Sequence, residues 1–146
     1  MLVIIDEYSK FMVVFPIVNK SLALQEIINF VTLAENDFKL RIATLHSDGE
    51  FKSNALKKFC IIRGIRQEFT TTETSHQNGQ VNRAYRTLAE GIRAMLLGSG
   101  MAEGYWAEAA KTFTYVSNIT PRKKLSYLTS WGVFTKKPLQ APPNFM

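Results

Sequence analysis

The sequence has very few of the residues that cross-link a chain or bind zinc. It contains one cysteine, Cys60, and two histidines, His46 and His76, among 146 residues. A single cysteine cannot form an internal disulfide or a cysteine-rich zinc site, and two histidines add too few ligands to change that. We therefore expect an intracellular protein that folds without disulfides.

Long apolar runs are missing as well. No segment approaches the roughly 18 consecutive apolar residues of a membrane-spanning helix. The first residues, Met1–Ile5 followed by Asp6 and Glu7, lack the basic start and the extended apolar stretch of a signal peptide. Hydrophobic residues make up 46% and charged residues 21% of the chain. These proportions are ordinary for one globular domain and exclude a disordered tail, a collagen and a coiled coil.

Acidic residues are scarce in the C-terminal half. Residues 1–75 hold nine basic and nine acidic side chains, whereas residues 76–146 hold nine basic ones against Glu90, Glu103 and Glu108. The entire net charge of +6 therefore lies in the second half. This asymmetry favours an anionic partner such as nucleic acid, although a solvated basic surface would give the same count.

Apolar periodicity predicts an α/β domain. Two short apolar runs, Leu2–Ile5 and Phe11–Ile17, predict a β-hairpin, and residues 22–36 have the spacing of a helix that Ser21 could cap. Because strands and helices alternate after the hairpin, the pattern favours a layered α/β fold with a mixed sheet. The further expected elements are a strand at 40–46, a short helix at 54–63 that Gly64 ends, a strand at 65–70 and an exposed, mobile polar loop at 70–79.

The clearest helix begins near residue 81 and ends at Gly98 and Gly100. Two faces are distinguished along it at about 100° per residue. The apolar face, which should pack inward, consists of Val81, Tyr85, Leu88, Ile92 and Leu96. The opposite polar face consists of Asn82, Arg83, Arg86, Glu90 and Arg93.

A second helix is expected over residues 103–118. Its apolar residues Trp106, Ala109, Phe113 and Val116 should pack inward, which makes a stacking role for the aromatic ones the less favoured interpretation. From Thr120 onward the sequence is basic and contains proline, and we expect irregular structure there. The predicted division is thus a domain at 1–119 and a basic C-terminal extension at 120–146.

Five collinear segments resemble the integrase catalytic core of copia-type LTR retrotransposons, a member of the DDE transposase and retroviral integrase group. A single motif of this kind would be weak, but the five together cover nearly the whole chain in order. The segments are Ile4-Ile5-Asp6-Glu7-Tyr8-Ser9-Lys10, Leu45-His46-Ser47-Asp48-Gly49-Glu50-Phe51, His76-Gln77-Asn78-Gly79-Gln80-Val81-Asn82-Arg83-Ala84-Tyr85-Arg86-Thr87-Leu88, Tyr105-Trp106-Ala107-Glu108-Ala109 and Asn118-Ile119-Thr120-Pro121. The closing Lys136-Lys137-Pro138 is also similar to the family's pattern.

The resemblance implies a ribonuclease H-like mixed sheet flanked by helices, here lacking the family's first, central strand. It also implies phosphoryl transfer by two Mg²⁺ or Mn²⁺ ions about 3.5–4 Å apart, held by two Asp and one Glu. The family's second Asp matches Asp48, although the motif around it is about two residues short. The first Asp would lie on the strand that is absent. The position of the Glu is occupied by Asn82.

A neutral amide at Asn82 leaves Asp48 as the one retained family carboxylate, so only weak metal binding is expected there. Without the resemblance, Asp48 beside Gly49 would be interpreted as a turn residue. We therefore predict a catalytically degenerate integrase core whose ancestral activity was metal-dependent DNA strand transfer. Two alternatives remain: an enzyme rescued by Asp6, Glu50 or Glu73 or by a partner chain, and a translated relic without a function.

DNA is the expected partner, together with other integrase subunits; neither a membrane nor a small-molecule substrate is expected. If the protein is functional, the family implies a nuclear location. Phosphate contacts would come from basic side chains of the long helix and of the C-terminal region, unless these only form a solvated surface. The candidate nucleic-acid-binding residues are Arg83, Arg86, Arg93, Lys123 and Lys124, with Arg122, Lys136 and Lys137 nearby.

Overall fold

A computed structural model describes residues 1–47, 52–69 and 75–137, with the backbone alone at 75–78 and 80. The chain divides into two compact units. The first combines Met1–Pro16 with Arg83–Met146, and the second is Ile17–Asn82. Among the described residues no helix is both long and apolar enough to cross a bilayer.

The first unit begins with an antiparallel hairpin. Strand β1 (Leu2–Ile5) pairs with β2 (Met12–Phe15) in a register that places Leu2 opposite Phe15 and Ile5 opposite Met12. Both strands are rich in β-branched residues, which suit a half-buried pleated surface. In the connecting turn, a carboxylate oxygen of Asp6 accepts hydrogen bonds from the backbone N–H of Ser9, at 2.7 Å, and from its hydroxyl, at 2.6 Å. The predicted hairpin is confirmed.

Two helices pack on this hairpin. Helix α3 (Ser75–Ser99) contributes Leu88, and α4 (Trp106–Ile119) contributes Ala110 to a buried cluster with Met12 and Val14. The two helices approach each other at Gly91, where an added Cβ would lie 2.1 Å from a ring carbon of Phe113. The absence of a side chain at this position therefore sets how closely the helices pack.

Helix α4 buries only part of the face that apolar periodicity predicts. Ala109 is buried and Phe113 packs against the core cluster, as expected. Trp106 is 38% exposed and Val116 is 48% exposed, so their predicted inward orientation is wrong. The buried residues are Ala109, Ala110, Thr114 and Asn118. The reason is polar: the Asn118 side chain accepts a 3.0 Å hydrogen bond from the Met12 N–H and donates one of 2.7 Å to the Met12 carbonyl. The helix thus turns its amide side chain toward the edge of β2.

Residues 121–137 are ordered and packed, so the irregular structure expected from Thr120 is wrong over this range. A short hairpin of β5 (Pro121–Arg122) and β6 (Leu128–Thr129) leads into α5 (Ser130–Thr135). Trp131 of α5 is buried and meets Phe11 edge-on, with ring centroids 5.9 Å apart, while Phe134 stacks on Phe11 at 4.3 Å. Residues 138–146 lie outside the described residues, and the division at 119/120 stays a prediction.

The second unit contains a parallel strand pair and two helices. Helix α1 (Ala23–Asn36) is found where it is expected, and it buries Ile27, Phe30 and Val31. No side chain caps its first residues, so the predicted Ser21 cap is wrong. Strand β3 (Thr44–Ser47) pairs in parallel with β4 (Arg66–Phe69), and α2 (Asn54–Arg63) connects them. Ser53 caps α2. Gly64 ends the helix with a φ of 66°, as predicted.

The predicted polar loop at 70–79 is only partly within the described residues. Helix α3 already begins at Ser75, so the loop prediction is wrong from that residue on. Residues 70–74 lie outside the described part of the chain. The helix ends as predicted, because Gly100 adopts a φ of 67° and the Met101 N–H donates to the Leu96 carbonyl, which satisfies one of the last carbonyls of the helix.

Candidate nucleic-acid interface

Helix α3 carries most of the predicted site residues on one exposed face. Asn82, Arg86 and Arg93 fall within about 40° of each other around the helix axis, and Arg83 lies about 60° further round. All four side chains are exposed. The polar face of the long helix is therefore confirmed as a solvent-facing surface with three guanidinium groups.

The opposite face of α3 fixes this orientation. Leu88 is fully buried, and Ile92 packs against the same cluster. The buried region is shorter than predicted, since Val81 and Tyr85 are each 43% exposed. Their inward assignment is wrong. Within the first unit, the packing of α3 centres on Leu88 and Gly91.

The arginines are available for a partner. The ion pairs found within the described ranges join His46 to Glu68, Arg66 to Glu68 and Arg63 to Glu35. Arg83, Arg86 and Arg93 take part in none of these. A guanidinium with no carboxylate attached keeps its full charge for a phosphate.

A second group of basic residues surrounds the β5–β6 turn. Lys123 and Lys124 lie in a 3₁₀ turn directly after β5, and both are exposed. Arg122 differs from them, because one of its terminal nitrogens donates to the Ser117 hydroxyl at 2.7 Å. Arg122 therefore anchors the turn to α4, while the two lysines remain free for an anion.

Sequence reasoning missed one residue beside these lysines. Tyr127 is 71% exposed in the same turn, and the only sequence signal was an aromatic residue closely following a Lys-Lys pair. Lys136, one of the further basic residues noted in the sequence, is exposed directly after α5.

Most of the residues on which the metal-binding prediction depends lie outside the part of the chain that the structure describes. Asp48, together with Glu50 and Glu73, lies outside the described residues. Asp6, the remaining candidate for a rescuing carboxylate, already accepts two hydrogen bonds from Ser9. Among the described residues no group of three or more His, Cys, Asp or Glu side chains could hold a metal ion.

The chemistry of the Asn82 side chain also disfavours metal binding. An amide carbonyl brings no negative charge, and its helix face also carries Arg86 and Arg93, with Glu90 about 40° beyond Arg86. The described residues therefore do not fit a pair of Mg²⁺ or Mn²⁺ ions.

Cys60 has no part in this surface. It is buried in α2, and burial raises the pKa of its thiol above the usual value. A neutral, enclosed thiol is a packing residue rather than a nucleophile.

Relatives of the chain are found among retrotransposon polyproteins. No family model matches. The chain is 31% identical over 135 residues, 91% of its length, to the retrovirus-related Pol polyprotein from transposon TNT 1-94 of Nicotiana tabacum. It is 26% identical over 98% of its length to the corresponding polyprotein from transposon RE2 of Arabidopsis thaliana, and 27% identical over 82% to that from RE1. The chain spans about a tenth of the length of these relatives.

A solved structure shares the fold. One chain in the cryo-EM structure of a simian T-cell lymphotropic virus intasome, in complex with the PP2A regulatory subunit B56 gamma, superimposes with a TM-score of 0.71. The match covers 97% of this chain and 49% of the other at 15% sequence identity, which establishes the ribonuclease H-like α/β fold. The resemblance to the integrase core of copia-type retrotransposons is thereby confirmed, and the chain is homologous over most of its length to retrotransposon Pol polyproteins.

Proposed function

We propose that this chain is an integrase core that binds DNA without catalysing strand transfer. The observation that carries the proposal is the exposed face of α3, where Asn82 stands beside Arg86 and Arg93. Such a face attracts the phosphates of a nucleic acid, whereas Glu90, the one carboxylate among its predicted residues, is too little to hold a pair of divalent ions. A nuclear location and association with other integrase subunits belong to the same proposal.

The charge distribution supports a polyanionic partner. All of the net charge of +6 lies in residues 76–146. Each phosphate that a cation neutralises releases counterions, so affinity should fall steeply as salt rises. DNA contacts to the phosphate backbone also carry no sequence information, and we expect binding with little sequence preference.

The proposed loss of catalysis rests on Asn82 and Asp6. Transferring a phosphoryl group between two metal ions needs several carboxylates at one point. Asn82 supplies a neutral oxygen, and the Asp6 carboxylate is bonded within its own turn. Among the described residues, no contact supports the alternative of a metal-dependent activity in which other carboxylates replace the missing ones.

The test is binding of a short fluorescent DNA duplex, followed by anisotropy from about 50 to about 200 mM salt. The variant Arg83→Gln/Arg86→Gln/Arg93→Gln should bind more weakly. The slope of log affinity against log salt should become shallower by about two to three, since each lost phosphate contact contributes about 0.9.

A matched control removes the same charge elsewhere. Arg41, Lys57 and Lys58 are exposed in the second unit, and the triple change Arg41→Gln/Lys57→Gln/Lys58→Gln also lowers the net charge by three. This control should keep the slope of the unmodified chain. Equal losses in the two triple variants would mean that net charge, not the α3 face, drives binding. A slope near zero for the unmodified chain would refute DNA binding.

A further inference from the structure

The turn between β5 and β6 holds its chain in an unusual backbone conformation. Ser126 and Tyr127 both have positive φ, at 52° and 65°. Glycine and asparagine are the residues that normally occupy such positions, and a bulky aromatic side chain is disfavoured there. The local backbone conformation therefore gives no reason for a tyrosine at this position.

Burial does not explain the tyrosine either. Tyr127 is 71% exposed, and the neighbouring Leu128 is 58% exposed. The turn itself is well anchored. The Tyr127 N–H donates to the Arg122 carbonyl at 3.0 Å, the Ser126 N–H donates to the Lys123 carbonyl at 3.1 Å, and the Arg122 side chain is bonded to Ser117. A fixed loop therefore presents an aromatic ring to solvent.

The charges around this ring are positive. Lys123 and Lys124 lie in the same loop and are exposed. No acidic residue occurs between Glu108 and the end of the chain. An exposed aromatic ring combined with cations is the arrangement by which proteins bind single-stranded nucleic acid, with bases stacking on the ring and phosphates meeting the cations.

We propose that the loop 122–127, with Tyr127, Lys123 and Lys124, binds an unpaired nucleotide of single-stranded DNA. Tyr127 stacks on the base, and the two lysines contact the adjacent phosphates. This inference rests on the proposed DNA binding and assigns it a second contact, separate from the arginine face of α3. Duplex DNA does not use the stacking contact, because its base faces are already stacked on one another.

The decisive variant is Tyr127→Gly. Glycine suits a φ of 65°, so the change should leave thermal stability unchanged or raise it. Affinity for a single-stranded oligothymidylate should fall at least about fivefold, since stacking of one base on an aromatic ring contributes that much or more. The salt slope should not change, and neither should affinity for duplex. Tyr127→Phe should keep the affinity of the unmodified chain.

Tyr8 provides the matched control. It is 80% exposed in the β1–β2 turn of the same unit but follows the acidic Asp6-Glu7 pair. Tyr8→Gly should leave single-strand affinity unchanged. The double variant Lys123→Gln/Lys124→Gln should weaken single-strand binding and make its salt slope shallower by about 1.4, at 0.7 per contact.

The outcomes distinguish base stacking at Tyr127 from the proposed DNA binding by the arginine face of α3. If Tyr127→Gly and Tyr8→Gly bind the oligothymidylate equally well, stacking is refuted, while the α3 variant still decides duplex binding. An equal loss on duplex and single strand after Tyr127→Gly would also refute stacking. If the unmodified chain binds neither nucleic acid, both proposals fail.

Discussion

At the scale of single residues, Asn118 holds α4 against the hairpin by hydrogen bonds, whereas apolar side chains pack the elements together elsewhere in the first unit. Its amide pairs with both backbone polar groups of Met12 at the edge of β2. An edge strand with unpaired N–H and C=O groups recruits other strands. Asn118 pairs the Met12 position of this edge from within the same unit, and these directional bonds join α4 to the hairpin.

Replacing Asn118 with alanine should therefore be costly. Asn118→Ala leaves the N–H and the carbonyl of Met12 without partners in a buried site, and each such group costs about 1–3 kcal/mol. We expect a loss of about 2–4 kcal/mol in the free energy of unfolding, measured by urea denaturation. Asn29 is exposed on α1, and Asn29→Ala should change stability by less than about 0.5 kcal/mol. Similar effects of the two changes would show that the Met12 contacts contribute little.

At the scale of elements, the crossing of α3 and α4 depends on one missing side chain. The Cβ of alanine at position 91 would lie 2.1–2.6 Å from three ring atoms of Phe113. In Gly91→Ala the ring must shift, and overpacking of this kind costs about 1–3 kcal/mol, more than the roughly 1 kcal/mol that alanine gains in helix propensity. We expect a net loss of stability.

The same helix contains its own control. Gly98 has nothing within 4 Å of an added Cβ, so Gly98→Ala should stabilise the chain by up to about 1 kcal/mol. Thermal unfolding of both variants measures the contrast. Adding Phe113→Leu to Gly91→Ala should recover part of the loss. Stabilisation of both glycine variants by the same amount would show that the close approach imposes no constraint.

The elements also show where sequence reasoning succeeds and where it fails. The hairpin, α1, α2 with its Gly64 end, and the polar face of α3 follow from short-range patterns, and they are found as expected. Four residues were predicted to form the inward face of α4: Trp106, Ala109, Phe113 and Val116. Ala109 and Phe113 pack inward, but Trp106 and Val116 do not. The long-range amide pair at Asn118 shifts the buried face, and apolar periodicity does not register such a pair. Similarly, Trp131 is buried by Phe11, a partner 120 positions away in the chain.

The candidate site likewise combines features that the sequence predicts with features that depend on the folded chain. Exposure of Arg83, Arg86, Arg93, Lys123 and Lys124 could be predicted from helical spacing and composition. The engagement of Arg122 by Ser117 and the positive φ of Tyr127 depend on how the β5–β6 turn closes. Asp48 lies outside the described residues, so its part in the site stays a prediction.

At the scale of the whole molecule, net charge limits what the chain can bind. A protein at +6 that took up two divalent cations without matching carboxylates would become more positive still. The proposed preference for polyanions and the proposed weak affinity for Mg²⁺ therefore have the same electrostatic cause. An acidic side chain repels phosphate, so the proposed DNA binding does not require the family's carboxylates.

Metal binding can be tested through stability. A ligand that binds only the folded chain stabilises it by RT ln(1 + [L]/Kd). With a Kd at least ten times the Mg²⁺ or Mn²⁺ concentration used, the gain is below about 0.1 kcal/mol. The thermal midpoint should therefore match that in NaCl of equal ionic strength, for the unmodified chain and for Asp48→Asn alike. A rise of several degrees that Asp48→Asn abolishes would show that Asp48 has enough carboxylate partners to hold a metal, and the proposed loss of catalysis would then have to be abandoned.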